Sequence, residues 1–215
     1  MMKRVCASLF AAAALLSMGG CLSIKSYVDP TLGDVKPEQR AAATEKKPVQ
    51  LIFAFETNGA ANSVATKEFS KEVADLVTQS GRFSQVSTTP VDGGAILAIT
   101  INNVPEKDAA GKGFGTGLTL GLAGTKVSDF YVATAKYSRG GGATVTKEAK
   151  HALHSTIGAT SAPEGLTAAK SPRDGLSVIL RQLVDHVVND LAKEPAFNGS
   201  APVASLTITL AYAAG

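Results

Sequence analysis

Near the middle of the chain, GKGFGTGLTLGLAG at 111–124 sets glycines at 111, 113, 115, 117, 121 and 124 around Lys112, a combination that cradles phosphate when the spacing is right. A Walker loop follows its lysine with Ser or Thr, whose hydroxyl holds magnesium, but Gly113 follows Lys112. A dinucleotide loop begun at Gly111 and Gly113 needs a third glycine at 116, where Thr116 stands. Nucleotide binding is therefore not expected. Three histidines could ligate a metal, but His151 and His154 lie in a strand pattern, where residues three apart point to opposite faces. His186 falls on the flank of a helix away from its apolar stripe and reads as a solvated polar residue. The acid pairs Glu68 with Glu72 and Asp185 with Asp190 read as solvated helix faces, and no G-x-S-x-G occurs. No catalytic constellation emerges, so neither an enzyme nor a metal or other cofactor is expected.

Chemistry of a different kind centres on Cys21. Lys3 and Arg4 precede an almost wholly apolar stretch over 5–18, and Gly19 and Gly20 lead into the cysteine. The apolar stretch is shorter than the roughly 20 residues of a membrane span, so residues 1–20 read as a secretory signal. The segment L-S-M-G-G-C resembles a bacterial lipoprotein signal, although Met18 stands where Leu is usual. That resemblance implies cleavage before Cys21, acylation of Cys21 as a membrane anchor and, because Leu22 rather than Asp follows it, sorting to the outer membrane with the domain facing the periplasm. Several acyl chains give a stable anchor where one is marginal, at roughly 0.8 kcal/mol per buried methylene. Cys6 lies within the signal, so Cys21 is the only cysteine of the mature chain, which excludes an internal disulfide. Loss of Lys3 and Arg4 leaves 19 basic against 18 acidic residues, a near-neutral balance without a nucleic-acid footprint.

Stepping outward to the elements, 21–47 holds Pro30, Pro37 and scattered charges without a lasting period, and reads as a lipidated tether, partly helical at most. Residues 48–215 then form a single domain. Within it, VQLIFAFE at 49–56 is β-rich on both faces, which predicts a strand covered on both sides. Ala65, Phe69, Val73, Leu76 and Val77 follow helical spacing, with Asn62 or Ser63 as cap and Gly81 beyond the end. Strands are expected at 83–89 and at 95–104, the latter burying Leu97, Ile99 and Ile101. Residues 127–137 and 143–157 form an antiparallel hairpin about RGGG at 139–142. After a loop at 158–170, Ser171, Pro172 and Asp174 start a second helix, whose stripe runs Leu176, Ile179, Leu180, Leu183, Val184, Val187, Val188 and Leu191. SLTITLAY at 205–212 reads as a final strand. The expected fold class is α+β, a mainly antiparallel sheet with two amphipathic helices packed on one face.

The run GFGTGLTLGLAGTKVSDFY at 113–131 resembles a group of largely uncharacterised bacterial lipoproteins that carry G-L-T-x-G-L-A-G followed by V-x-D-x-Y. The matching residues are Gly117, Leu118, Thr119, Gly121, Leu122, Ala123, Gly124, Val127, Asp129 and Tyr131. The resemblance brings no established activity. More remotely, the opening order of elements is similar to small periplasmic α+β modules of envelope lipoproteins that activate cell-wall synthases or assist transporters, an analogy of fold alone. Two readings of 111–124 stay open: a connector buried under the sheet, or an exposed apolar surface meeting lipid or a partner through Phe114, Leu118, Leu120 and Leu122. Lys126, Lys136, Arg139, Lys147 and Lys150 put positive charge on the hairpin, either as a solvated edge or as a site for an anionic headgroup or acidic partner. Asp129 and Tyr131 read as a local structural pair. The expected function is a lipid-anchored, non-enzymatic binding or accessory role toward another envelope protein. The alternative is a membrane-active part of a transport or assembly apparatus that uses 111–124.

Overall fold

A computed structural model describes residues 23–43, 45–106, 124–140 and 142–198. Among them eight strands form one mixed sheet with two helices beside it, which is the expected α+β class. In chain order the strands are β1 (Ile24–Val28), β2 (Pro48–Thr57), β3 (Ala60–Ala61), β4 (Gln85–Ser87), β5 (Ala95–Pro105), β6 (Thr125–Arg139), β7 (Val145–Ile157) and β8 (Thr167–Ala168). The helices are α1 (Ser63–Gln79) and α2 (Pro172–Ala192). The sheet runs β3-β2-β5-β6-β7-β1-β8, with β4 added beside β2. Only the pairings β2·β5 and β2·β4 are parallel. A parallel pair cannot be closed by a tight turn, and α1 supplies the crossover from β2.

The period-2 pattern of the central strands turns one side of each into the core. Val49, Leu51 and Phe55 on β2 lie beside Ala95, Leu97 and Ile101 on β5, and all six are buried. Ile99 pairs with Ala135 and Leu97 with Tyr137, which carries the same face onto β6. α1 starts where Asn62 Oδ1 accepts from Ala65 N at 3.0 Å, a cap that contributes about 1 kcal/mol. The helix buries Phe69, Val73 and Val77, with the Phe69 ring stacked 5.7 Å from Phe55. Gly81 follows the helix at φ +65°, a left-handed turn that only glycine adopts without strain. α2 starts at Ser171, whose Oγ accepts from Asp174 N at 3.1 Å, with Pro172 in the first turn. Its stripe from Ile179 to Leu191 is buried as the spacing predicts. At the far end of the sheet Phe83, Tyr137 and Phe197 close the core, with Tyr137 and Phe197 centroids 4.9 Å apart.

Three expectations are corrected. The segment 21–47 is not a free tether over its described part. Residues 24–28 are β1, antiparallel to β7 from Ile24↔Ile157 to Val28↔Leu153, with Ser26, Tyr27 and Val28 buried. Beyond β1 the chain runs as a strap along α2. Asp34 accepts from Gln182 Nε2 at 2.8 Å and pairs with Arg181, Arg40 makes a two-pronged pair with Asp185, and Asn189 takes Ala41 N at 2.8 Å. These bonds need no sequence period, which is why composition concealed them. The strand expected at 83–89 is only Gln85–Ser87, because Phe83 turns into the aromatic cluster. β2 is covered on one side, not two, since Ile52 is exposed opposite the core residues. The expected strand at 205–212 lies outside the described residues.

Asn189 is the tightest knot of the strap. It is buried, its Oδ1 also accepts from Arg82 at 3.1 Å, and its Nδ2 donates to the Gln39 carbonyl at 3.1 Å. Asn189→Leu is expected to destabilise the domain by about 1–3 kcal/mol in urea melts, because it strands the buried Arg82 and frees the strap at Gln39 and Ala41. Removal of 23–43 is expected to abolish cooperative unfolding, where a true tether would be deleted without effect.

Candidate binding face

Both helices lie on the core side, and the opposite side of the sheet carries neither. There, register places Ile52 beside Ala98, Ile96 beside Gln50 and Ser138, and Val104 beside Phe130. Ile52 and Ile96 are 48% and 43% exposed, and Val104 and Phe130 are also exposed. A polar strip of Thr100, Thr134, Glu56 and Asn102 separates the two apolar areas by position in the register. Lys126, Lys136 and Lys150 are exposed on this side, together with Lys25 from β1, next to Glu148. Toward β1 the same side closes, where Tyr27, Ala152 and Thr156 are buried. The basic group read from sequence thus divides: Lys147 turns to the helix side and pairs with Glu194, and Arg139 reaches Glu45 at 3.5 Å.

The strand geometry separates His151 from His154 as their spacing predicts. His151 is buried on the core side, where Nδ1 accepts from Ala152 N at 2.8 Å and Nε2 lies 2.5 Å from Gln182 Oε1. An Nδ1 that accepts leaves the proton on Nε2, so His151 donates to Gln182, and Gln182 passes a donor on to Asp34. His154 lies on the other side with Ser128 Oγ at 2.9 Å and Asp29 at 3.8 Å. His186 is less solvated than expected, since its Nε2 donates to the Gly33 carbonyl at 3.2 Å. Asp129 and Tyr131 share the core side. Burial pushes the Asp129 carboxyl up, with Asn103 pulling partly against it, and burial pushes Tyr131 up too, aided by the Asp129 charge.

An open cavity of about 770 Å³ lies between the strap and the start of α2, lined by Asp29, Asp34, Asp174, Lys36 and Lys170 among others. Each of these carboxylates already has a structural duty. Asp174 accepts from the Ser171 hydroxyl at 2.7 Å, Asp29 accepts from Thr31 N and Oγ1, and Asp34 serves Arg181 and Gln182. Among the described residues no three His, Cys, Asp or Glu side chains gather as a metal site requires. No described helix is long and apolar enough to cross a membrane.

Cys21, Phe114, Leu118, Leu120 and Leu122, the site residues expected from sequence, lie outside the described residues. On β5 the burial of Leu97, Ile99 and Ile101 leaves Ile96 on the open side, as their alternation predicts; what the sequence hides is the open side of β2, because Ile52 and Ala54 opposite its core residues read as a second covered side.

No family model matches the chain, and no curated protein matches it in sequence. Among solved structures it is similar to a variant PelC dodecamer from Paraburkholderia phytofirmans at 14% identity, over 80% of this chain and 97% of that chain, with a TM-score of 0.38. A second PelC dodecamer from the same organism shows 13% identity, 80% and 99% coverage and a TM-score of 0.37. An uncharacterised protein follows at 9% identity, 74% and 94% coverage and a TM-score of 0.30. Likenesses of this size do not extend to role or assembly.

The carboxylates carry opposite pH signatures. Hydrogen bonds from Arg181 and then Gln182 hold Asp34 below the usual carboxylate range. Its contribution to strap attachment is full above the unfolded value of about 3.9 and lost as pH falls through the lower folded value. Protection of the amides over 30–43 against exchange, relative to their intrinsic rates, is expected to fall only below about pH 4, and Asp34→Asn should weaken that dependence. Asp129, raised by burial, destabilises the fold above its folded pKa and ceases to do so as pH falls. Asp129→Asn should therefore melt above the parent protein at pH 7, and the gap should close in acid. An unchanged gap across that range would remove burial as the cause.

Proposed function

We propose that this protein is a lipid-anchored, non-enzymatic binding module of the bacterial cell envelope, attached to the outer membrane through acylated Cys21 and serving a partner protein of the same compartment. The observation that carries the proposal is the helix-free side of the sheet, where Ile52 and Ile96 stand exposed on two adjacent central strands. Large apolar side chains grouped on a rigid sheet and bordered by polar groups mark interaction surfaces more often than they mark plain surface. Nearby Lys136 and Lys150 favour a partner whose rim is acidic. The cavity beside the strap supports a binding role over catalysis, since its acids are engaged in holding the fold.

The test is photocrosslinking in living cells from probes at Ile52 and Ile96, with Phe114 and Leu118 probed alongside. Discrete protein adducts from the first pair are expected; Ile96→Asp should erase those from the probe at 52 and Ile52→Asp those from the probe at 96, while each change alters stability by no more than about 0.5 kcal/mol, as is usual for exposed positions. Absence of protein adducts at all four positions would overturn the binding role. Separately, Cys21→Ala should move the protein from the membrane to the soluble fraction and abolish labelling by fatty acid. An unchanged distribution would overturn the anchor.

A further inference from the structure

One end of the sheet gathers most of the exposed apolar side chains. β1 begins at Ile24, which pairs with Ile157 at the end of β7, and Ile157 also pairs with Thr125 at the start of β6. Pro105 at the end of β5 pairs with Asp129, and Thr57 at the end of β2 pairs with Asn103. All these termini therefore share one end, and α1 starts beside it after β3. Of the six large apolar side chains exposed among the described residues, Ile24, Val64, Val104 and Phe130 lie at this end, with exposures from 37% to 77%. Only Ile52 and Ile96 lie elsewhere.

The charges at the same end divide into exposed lysines and acids that are half-buried or paired. Lys25, Lys67 and Lys126 are exposed. The acids there are drawn inward or engaged: Glu106 accepts from Ser128 N at 3.1 Å, Glu56 and Asp129 are half-buried, and Glu68 lies 3.5 Å from Arg173. Apolar side chains on both sides of this end, Ile24 and Val64 on the helix side and Val104 with Phe130 on the helix-free side, together with exposed lysines match an anionic phospholipid interface, where apolar chains enter the headgroup boundary and each lysine strengthens binding about fivefold.

The length of chain outside the structure decides the orientation. Cys21 lies three residues before Ile24, and three extended residues span at most about 11 Å. A free tether over 21–47 would let the domain float at any angle, whereas β1 fixed in the sheet brings the acylated cysteine to this end and no other.

We propose that the domain stands on the membrane through this end, with Ile24, Val64, Val104 and Phe130 turned into an anionic phospholipid surface and Lys25, Lys67 and Lys126 on its headgroups. The proposal rests on the reading of Cys21 as the lipid-bearing residue.

The chain contains no tryptophan, so a single introduced one reports cleanly. The mature protein is coupled through Cys21 to a maleimide-bearing phosphatidylethanolamine in vesicles of phosphatidylethanolamine and phosphatidylglycerol that contain brominated phosphatidylcholine. Phe130→Trp and Val64→Trp are expected to be quenched by bromine and blue-shifted, while Val91→Trp, at the opposite end, is expected to keep the emission it has without bromine. Lys25→Glu with Lys126→Glu should reduce the quenching at position 130. Should Phe130→Trp perturb the fold by circular dichroism, Lys67→Trp, at an exposed position, reads the same end. Equal quenching at both ends, or none at 64, 67 and 130, overturns the proposal. Because the anchor is imposed chemically, these outcomes are independent of whether cells acylate Cys21, which the Cys21→Ala fractionation reads on its own.

Discussion

Gln182 and Asn189 sit buried on a helix whose other buried positions are largely apolar, and a polar side chain shut away from water without partners costs about 1–3 kcal/mol. Both find those partners in the N-terminal strap and its neighbours, and much else follows. The strap can satisfy them only if it lies along α2, and it can lie there only because β1 delivers it from the sheet edge beside β7. α2 is consequently gripped on two sides, by the sheet through its apolar stripe and by the strap through its amides. The sequence of dependence runs from a few hydrogen bonds to the placement of the whole amino-terminal segment 23–43.

Where a residue pattern repeats, the fold was legible. Leu97, Ile99 and Ile101 announce β5 and its buried side, and Ser171-Pro172 with Asp174 announces the start of α2 almost to the residue. Where stability comes from partners far along the chain, the signal vanishes. IKSYV at 24–28 carries too few alternating positions to read as a strand, and its order comes from β7. The strap is held by side-chain bonds to helix residues, which no window of neighbours can reveal. The open face was legible on β5, where burial of Leu97, Ile99 and Ile101 leaves Ile96 on the other side, and not on β2, a strand apolar on both faces whose Ile52 is nevertheless exposed.

The histidines show how one geometry serves two ends. Three positions apart on β7, they fall on opposite sides, and each is occupied by local duties: His151 as a neutral donor to Gln182, His154 beside Ser128 and Asp29. The same division governs the lysines of the hairpin, with Lys147 drawn to Glu194 on the core side and Lys136 and Lys150 left on the open side. Alternation in a strand thus sorts structural from available charge without any change in composition.

The pairing of β1 with β7 also sets an order of events in time. Ser26 and Ser155, whose hydroxyls lie 3.1 Å apart, are separated by 129 residues of chain. Contacts of such long range form late, since the intervening loop must close before they return any energy. Until residues 145–157 are in place, β1 has no β7 to join, so residues 24–28 and the strap that follows them are the last part of the sheet edge to be secured, and α2 waits for its second grip.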